Sequence, residues 1–495
     1  MNRYLPLRLG AALIAVLLMA LAWWMVLAAE RGVQSLSLTR DGVPVTLLLP
    51  AVSEPAPGVV IAHGFAGSER LMRHWALTLA RAGVVVALPD LSGHGRNQAP
   101  LDWWNDPEQF QRDVQTALDL LLSRPEVDHQ RLGLLGHSLG AGAAIDAGRL
   151  RLDDVSAVVA ISPGQSEVGP DSPRNLMLMA GAWEGPFLAA AKTLLEQAGG
   201  EGGDPLQGTA RALTVIPHAE HIGILFRHEA HAASLAWFAR AWDLSIPDVS
   251  PNPTLAWWLL HLLAVLILWR ALVPLFAHRE SPSLLGMHPD WLDHTRRPLL
   301  RAALSGIGAT LALIGIGEVI YLDGLGGILV SPQFALWLAL AGLLWLALGT
   351  RPPRPEWADL GWGTVMFGVL MLAFGVLGAK VWLAWWPPLH RLPYLPVLTL
   401  LILPWAVALS TALLGREGIR GFGLGLGITL MTMVTVGIAA AVVDGMMFLL
   451  IILPLLPVML ALPLLVSLPA QRPWAGGLAM AAFLGWTLTM MFPLI

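Results

Sequence analysis

Cysteine is absent from all 495 residues, which excludes disulfides, thiol nucleophiles and Cys-ligated metals and is compatible with any redox compartment. Charge is scarce. Asp, Glu, Lys and Arg make up 13% of the chain against 56% hydrophobic residues, and a mean hydropathy of +0.64 is too high for a simple soluble enzyme. A basic excess is also missing: the net charge is -4 and the isoelectric point near 6.4, so the chain lacks the electrostatic footprint of a nucleic-acid binder. Tyrosine occurs only three times, whereas tryptophan occurs 22 times. The pairs Trp23-Trp24, Trp257-Trp258 and Trp385-Trp386 stand within or at the ends of apolar runs, where indole rings favour the headgroup layer or pack a core.

The hydrophobicity is unevenly spread. Residues 7–29 form one apolar run, long enough for a bilayer, which takes about 20 residues. Arg3 stands before it and Arg8 at its start, as in a signal peptide, but its end, Met25 to Glu30, offers a weak cleavage site, which favours an uncleaved anchor. Residues 254–494 are almost continuously apolar and parse into eight further spans: 255–277, 299–322, 328–349, 360–382, 395–414, 421–443, 446–468 and 474–494. The expected domains are therefore an anchor over 1–30, an α/β domain over 31–250 and a polytopic all-α region over 251–495. With the N-terminus inside, the inside loops carry eleven arginines, from Arg3 and Arg8 to Arg420 and Arg472, and the short outside loops essentially Arg391 alone. That asymmetry orients the chain and puts residues 31–250 outside the cytoplasm.

Within 33–244, strand-like and helix-like runs alternate. Ser35–Leu38 and Val43–Leu49 suggest an opening hairpin, and Val59–Ala62, Val84–Leu88, Val155–Ile161, Leu176–Ala180 and Ala212–Ile216 are buried β-runs. Helical stretches separate the later strands, which predicts a mostly parallel sheet covered on both faces. The most informative segment is Gly136-His137-Ser138-Leu139-Gly140, a G-x-S-x-G pattern. An apolar strand candidate precedes it and the small-residue helix Ala141–Ala147 follows. Strand, tight turn and helix is the context of a nucleophile elbow, against the plainer reading of a Gly-rich turn. Serine is a poor nucleophile at neutral pH. It needs a histidine to take its proton, a carboxylate to orient that histidine, and preorganised N–H donors for the developing oxyanion.

Four motifs make residues 33–244 resemble the α/β-hydrolase fold, more narrowly its dienelactone-hydrolase-like serine esterases and lipases. They are His63-Gly64-Phe65-Ala66-Gly67 after an apolar strand, Asp90-Leu91-Ser92-Gly93-His94-Gly95, the elbow, and two late loops. The resemblance implies a nucleophile at Ser138 and oxyanion donors in the backbone amides of Phe65 and Leu139. It places the base at His221, with His218 as competitor, and the acid at Glu184, where the family usually carries Asp. Asp171 and Asp204 remain alternatives for the acid. His228 and His231 fall inside a helical run. His63 and His94 read as loop-holding rings and Asp90 as a turn former; His63, Trp103 and Trp104 are also candidate substrate contacts. Only Ser162 to Arg174 separate two strands where the fold usually inserts a lid, too little for a helical cap.

In the apolar half, Glu318, Asp323, Lys380 and Asp444 fall near the extracytoplasmic ends of spans. They either frame a polar headgroup site or simply reach the water interface. No two-His-plus-carboxylate spacing appears, so neither a metal nor another cofactor is expected. The order of anchor, extracytoplasmic hydrolase and eight spans is similar to that of the GPI inositol-deacylases, in architecture only. The expected function is a membrane-integrated serine esterase or lipase acting on a lipid-like ester. The alternatives are a transport or sensor protein with the hydrolase domain as a ligand-binding module, and a transacylase using the same acyl-enzyme.

Overall fold

The computed structural model describes residues 4–102, 104–245, 253–276, 291–416 and 418–495. The chain divides into two units. One contains Met25–Ala256, Ala379–Ala384 and Pro493–Ile495, the other Met1–Trp24, Trp257–Gly378 and Trp385–Phe492. The first unit thus takes in two short segments far outside the expected 31–250. The expected boundary near residue 250 lies outside the described residues.

The first unit is built on an eight-stranded sheet. Its strands are β1 (Val33–Arg40), β2 (Val43–Pro50), β3 (Ala56–Ala62), β4 (Val85–Pro89), β5 (Val127–His137), β6 (Val155–Ile161), β7 (Leu176–Gly181) and β8 (Arg211–Ile216), in the order β1-β2-β4-β3-β5-β6-β7-β8. β1 and β2 form an antiparallel hairpin, closed by Asp41 and Gly42 at φ 48° and 84°, the left-handed turn that matches strand twist. β2 also runs antiparallel to β4, and every later pairing is parallel. Parallel strands are covered on both faces, which is why β4, β6 and β7 read as near-continuous apolar runs, interrupted in β6 by Ser156, rather than alternating ones.

Five helices cover the sheet: α2 (Arg73–Arg81), α3 (Gln109–Leu122), α4 (Leu139–Leu150), α5 (Gly185–Gln197) and α6 (His228–Ala241), α1 being the N-terminal helix Leu5–Ala29. Trp75, Ile61, Val86, Val159, Met179 and Phe238 lie in one buried cluster between sheet and helices. Each such aliphatic side chain contributes about 1.5–3 kcal/mol through burial. From β3 the chain steps to β4 on one side and to β5 on the other, so the order reverses there. The crevice beyond the carboxyl ends of β3 and β5 is where an open α/β sheet presents its site.

The packing of this unit makes it acid-sensitive. His231 is buried against Trp75, ring centroids 4.0 Å apart, and hydrogen-bonds Thr78 Oγ1 and the Leu225 carbonyl at 3.0 and 2.9 Å. Burial opposes its charged form and lowers its pKa to about 4; the same cause, with His231 nearby, takes His74 to about 3. Both rings stay neutral in the fold while the unfolded chain takes up protons below about pH 6.5. Their stabilisation is therefore complete above pH 6.5 and is withdrawn as pH falls toward 4 and 3. Asp113, raised by burial to about 6, acts oppositely: its cost is relieved as pH falls through 6. Between pH 7 and 5 each histidine withdraws about 2 kcal/mol and Asp113 returns about 1. The thermal midpoint of the full chain in detergent should therefore drop from pH 7 to pH 5, and His231→Gln should flatten that slope. A midpoint independent of pH would refute the assignment.

The second unit consists of helices. Among the described residues, seven are long and apolar enough to cross a membrane: Leu5–Ala29, Thr254–Leu275, Arg296–Gly317, Trp357–Val381, Tyr394–Ala412, Gly418–Val442 and Pro473–Met491. Two of the nine expected spans come out shorter. The run 328–349 yields only Ser331–Ala347, because Val330 and Gly349 take positive φ just outside its two ends. The run 446–468 splits into Leu449–Ile452 and Leu456–Ser467, with Pro457 at the start of the second piece, where its missing N–H is harmless. Within this unit Gly342, Gly477 and Gly485 let backbones approach: a Cβ on each would meet the backbone of Trp405, Val407 or Thr399.

Candidate active site

The elbow is a local consequence of its glycines. β5 ends at His137 and α4 begins at Leu139, so a single residue, Ser138, makes the turn, at φ 54° and ψ -115°. Its amide donates to the Ile161 carbonyl at 2.8 Å and ties the elbow to β6. A Cβ on Gly136 would collide with the Gly140 backbone, and one on Gly140 would lie 2.5 Å from the carbonyl oxygens of Ala62 and His63. Only glycine lets the first turn of α4 pass that close to β3 and β5.

Three groups from distant parts of the chain meet here. His221 follows β8, and its Nε2 lies 3.1 Å from Ser138 Oγ. Its Nδ1 lies 2.8 Å from Glu184 Oε1 on the loop between β7 and α5. A carboxylate only accepts, so Nδ1 carries the proton and Nε2 accepts from the serine hydroxyl. The Glu184 carboxylate is buried and also accepts from the Gly181 amide at 2.7 Å and from Ser162 Oγ at 2.8 and 3.0 Å to its two oxygens. The late loops are tied together: the Ala182 and Trp183 amides donate to the carbonyls of Ile216 and Ala219 at 2.9 and 3.0 Å. Glu220 accepts from the amides of Ile222 and Gly223, which closes the turn carrying His221.

Two further side chains hold the imidazole. Phe187 on α5 stacks on it, centroids 4.2 Å apart at 20°. His137 lies tilted against it, centroids 4.8 Å apart, and its Nε2–H donates to the His221 carbonyl at 2.9 Å; burial lowers the His137 pKa well below the ordinary range and keeps that ring neutral. Its Nδ1 is buried without a hydrogen-bond partner. No sequence motif marks Ser162 or Phe187. His137 alone had a signal, its place inside G-x-S-x-G.

Gly64 sits against the elbow: a Cβ there would lie 3.2 Å from Ser138 Cβ. The loop bearing the Phe65 amide is therefore adjacent to the nucleophile, and the Leu139 amide opens α4, where a helix leaves its first N–H groups without intrahelical partners. His63 is fully buried and both ring nitrogens are committed. Nδ1 donates to the Gly64 carbonyl at 2.9 Å, and Nε2 accepts from the Leu91 amide at 3.1 Å. His63, a candidate substrate contact, therefore has no ring nitrogen left to hydrogen-bond a substrate. Asp90 accepts from the Glu69 and Arg96 amides and pairs with Arg96 Nε at 2.9 Å, which builds the turn over Gly95.

The competing residues lie elsewhere. His218 is exposed, edge-on to Trp183 at 5.8 Å, His231 is a core residue and Asp204 caps a short turn through Leu206 N. Asp171 is exposed. Trp104 is exposed and Trp103 lies outside the described residues. Glu318 and Asp444 are exposed within the second unit, and Lys380 belongs to the segment assigned to the first, so these three are not brought into one cluster within either unit. Among the described residues no group of three or more His, Cys, Asp or Glu is placed to hold a metal ion.

Residues 53–199, which carry the H-G loop, the elbow and Glu184, match the family model of serine aminopeptidase S33. The chain carries an α/β-hydrolase domain. Over 113 residues the hydrolase domain is 31% identical to the monoacylglycerol lipase of Mycolicibacterium smegmatis, covering 22% of this chain and 39% of that one. Over 119 residues it is 35% identical to epoxide hydrolase A of Mycobacterium tuberculosis, covering 24% and 35%. The chain thus spans about two fifths of the length of these curated relatives. Among solved structures the dienelactone hydrolase of Anabaena variabilis aligns over 42% of this chain and 98% of its own, with 23% identity and a TM-score of 0.34.

Proposed function

We propose that the protein is a membrane-bound serine hydrolase that cleaves carboxylic esters of lipid-like substrates through an acyl-enzyme. The observation that carries this reading is the continuous hydrogen-bond relay Ser138–His221–Glu184 at the elbow. His221 Nε2 takes the Ser138 proton as Oγ attacks the ester carbonyl carbon, and the carbonyl electron pair moves to oxygen beside the Phe65 and Leu139 amides. Collapse breaks the bond to the alkoxy group, which leaves as the alcohol with the proton from His221. Water then attacks the acyl carbon, gives its proton to His221, and the carboxylic acid departs as Ser138 is reprotonated. Glu184 stays ionised throughout and stabilises the imidazolium.

The lipid-like substrate is supported by the seven apolar helices in the same chain and by the similarity to a monoacylglycerol lipase. Anchoring a hydrolase in a bilayer replaces a three-dimensional search with a local one and raises the effective substrate concentration. The loop arginines favour a cytoplasmic N-terminus and an extracytoplasmic hydrolase domain. The purified full chain should react with a fluorophosphonate probe at Ser138 and hydrolyse monoacylglycerol in mixed micelles faster than a water-soluble acetate ester. A chain that neither labels nor turns over esters would instead favour the ligand-binding reading.

A further inference from the structure

The compact unit that holds the sheet also contains residues 379–384, more than a hundred positions beyond the last helix of the α/β domain. Three hydrogen bonds tie this segment to the loop that follows β3. Trp382 Nε1–H donates to the Ala66 carbonyl at 2.9 Å, and Ser68 Oγ–H donates back to the Trp382 carbonyl at 2.6 Å. The Arg70 guanidinium donates to the Ala379 carbonyl. The indole packs on the buried cluster between sheet and helices.

The bonded loop carries a proposed oxyanion donor. The Gly67 amide donates to the Gly64 carbonyl at 3.1 Å, so residues 64–67 close a turn with Phe65 and Ala66 at its centre. Ala66 sits at φ 58°, a left-handed conformation that a residue with a Cβ rarely keeps unless its surroundings hold it. Its outgoing carbonyl is held by the Trp382 indole. If Ala66 relaxes, the turn over residues 64–67 opens, and the Gly64–Phe65 peptide that carries the Phe65 amide is no longer fixed beside Ser138.

We propose that Trp382 is a positioning residue of the oxyanion loop, and that residues 379–384 complete the esterase site. This rests on the ester-hydrolase reading above. The contiguous stretch 31–250 then carries the nucleophile, base and acid but lacks the element that holds one oxyanion donor. A lost oxyanion donor acts on the transition state and not on substrate binding.

The test uses the full chain in nanodiscs with p-nitrophenyl butyrate. Trp382→Phe keeps the ring packing and removes only the N–H. It should lower kcat about tenfold or more while leaving KM within about twofold. Affinity for a trifluoromethyl ketone, which forms a tetrahedral adduct at the serine, should fall by the same factor with an unchanged thermal midpoint. Amide exchange over residues 64–70 should rise. Ser68→Ala should shift all three readouts the same way, more weakly, and serves if the tryptophan variant does not fold. Unchanged kcat and analogue affinity in a folded Trp382→Phe chain overturn the proposal, as does a loss of kcat that merely tracks a lowered thermal midpoint. An inactive wild-type chain would instead overturn the ester-hydrolase reading, and the exchange measurement would still report whether Trp382 orders the loop.

Discussion

Ser138→Ala should reduce turnover of p-nitrophenyl butyrate roughly 10⁶-fold, to the small residue that binding and the oxyanion donors sustain without a nucleophile. The hydroxyl is the atom that forms the acyl-enzyme, so nothing else in the site replaces it. The change should leave the fold intact. Ser138 holds the elbow through its backbone, whose amide bonds the Ile161 carbonyl, and its left-handed φ is no worse for alanine than for serine. Stopped-flow burst titration and the thermal midpoint of wild type and variant would check both halves. Retained turnover in the folded variant would remove Ser138 from the mechanism, and the covalent intermediate with it.

Glu184→Gln should cost about 10⁴-fold in kcat with KM little changed. The amide is nearly isosteric, so the loops stay tied, but a neutral group cannot stabilise the imidazolium or enforce the tautomer with the proton on Nδ1. Its NH₂ would also face the Ser162 hydroxyl, which now donates to both carboxylate oxygens. His221→Ala should be as damaging as loss of the serine, because the two act as one unit. Asp171→Asn and His218→Ala should be nearly silent, since both side chains are exposed and neither joins the relay. Steady-state kinetics on the five purified chains decide it: a severe effect at Asp171 or His218 with a mild one at Glu184 or His221 would dismantle the relay.

The α/β framework was legible because its signals are local. Near-continuous apolar runs mark strands buried on both faces, and the glycines at 136 and 140 mark a turn at which no Cβ fits. The length of the apolar helices was less legible. A hydropathy run does not register that a positive φ at Val330 stops a helix, whereas the prolines at 454, 457 and 463 already suggest that the run 446–468 is kinked. His63 looked available for substrate because its motif borders the site, but whether a ring nitrogen is free depends on the Leu91 amide, which comes from another loop.

From the sequence alone came a nucleophile elbow on an α/β sheet, an H-G loop, two late loops with a carboxylate and histidines, and a long apolar region. Each is encoded within a few residues by backbone sterics and hydrophobic patterning. The resemblance already pointed to His221 and Glu184; only the tertiary structure shows them within hydrogen-bond reach of the serine and of the imidazole, with His218 and Asp171 exposed and apart from them. It also put Ser162, Phe187 and His137 around them and seated Trp382 on the Ala66 carbonyl. Those choices are hydrogen bonds and ring contacts between residues 37, 83 and 316 positions apart. Such bonds form only where the sheet order and the loop crossings bring donor and acceptor within about 3 Å, a distance that no local propensity carries.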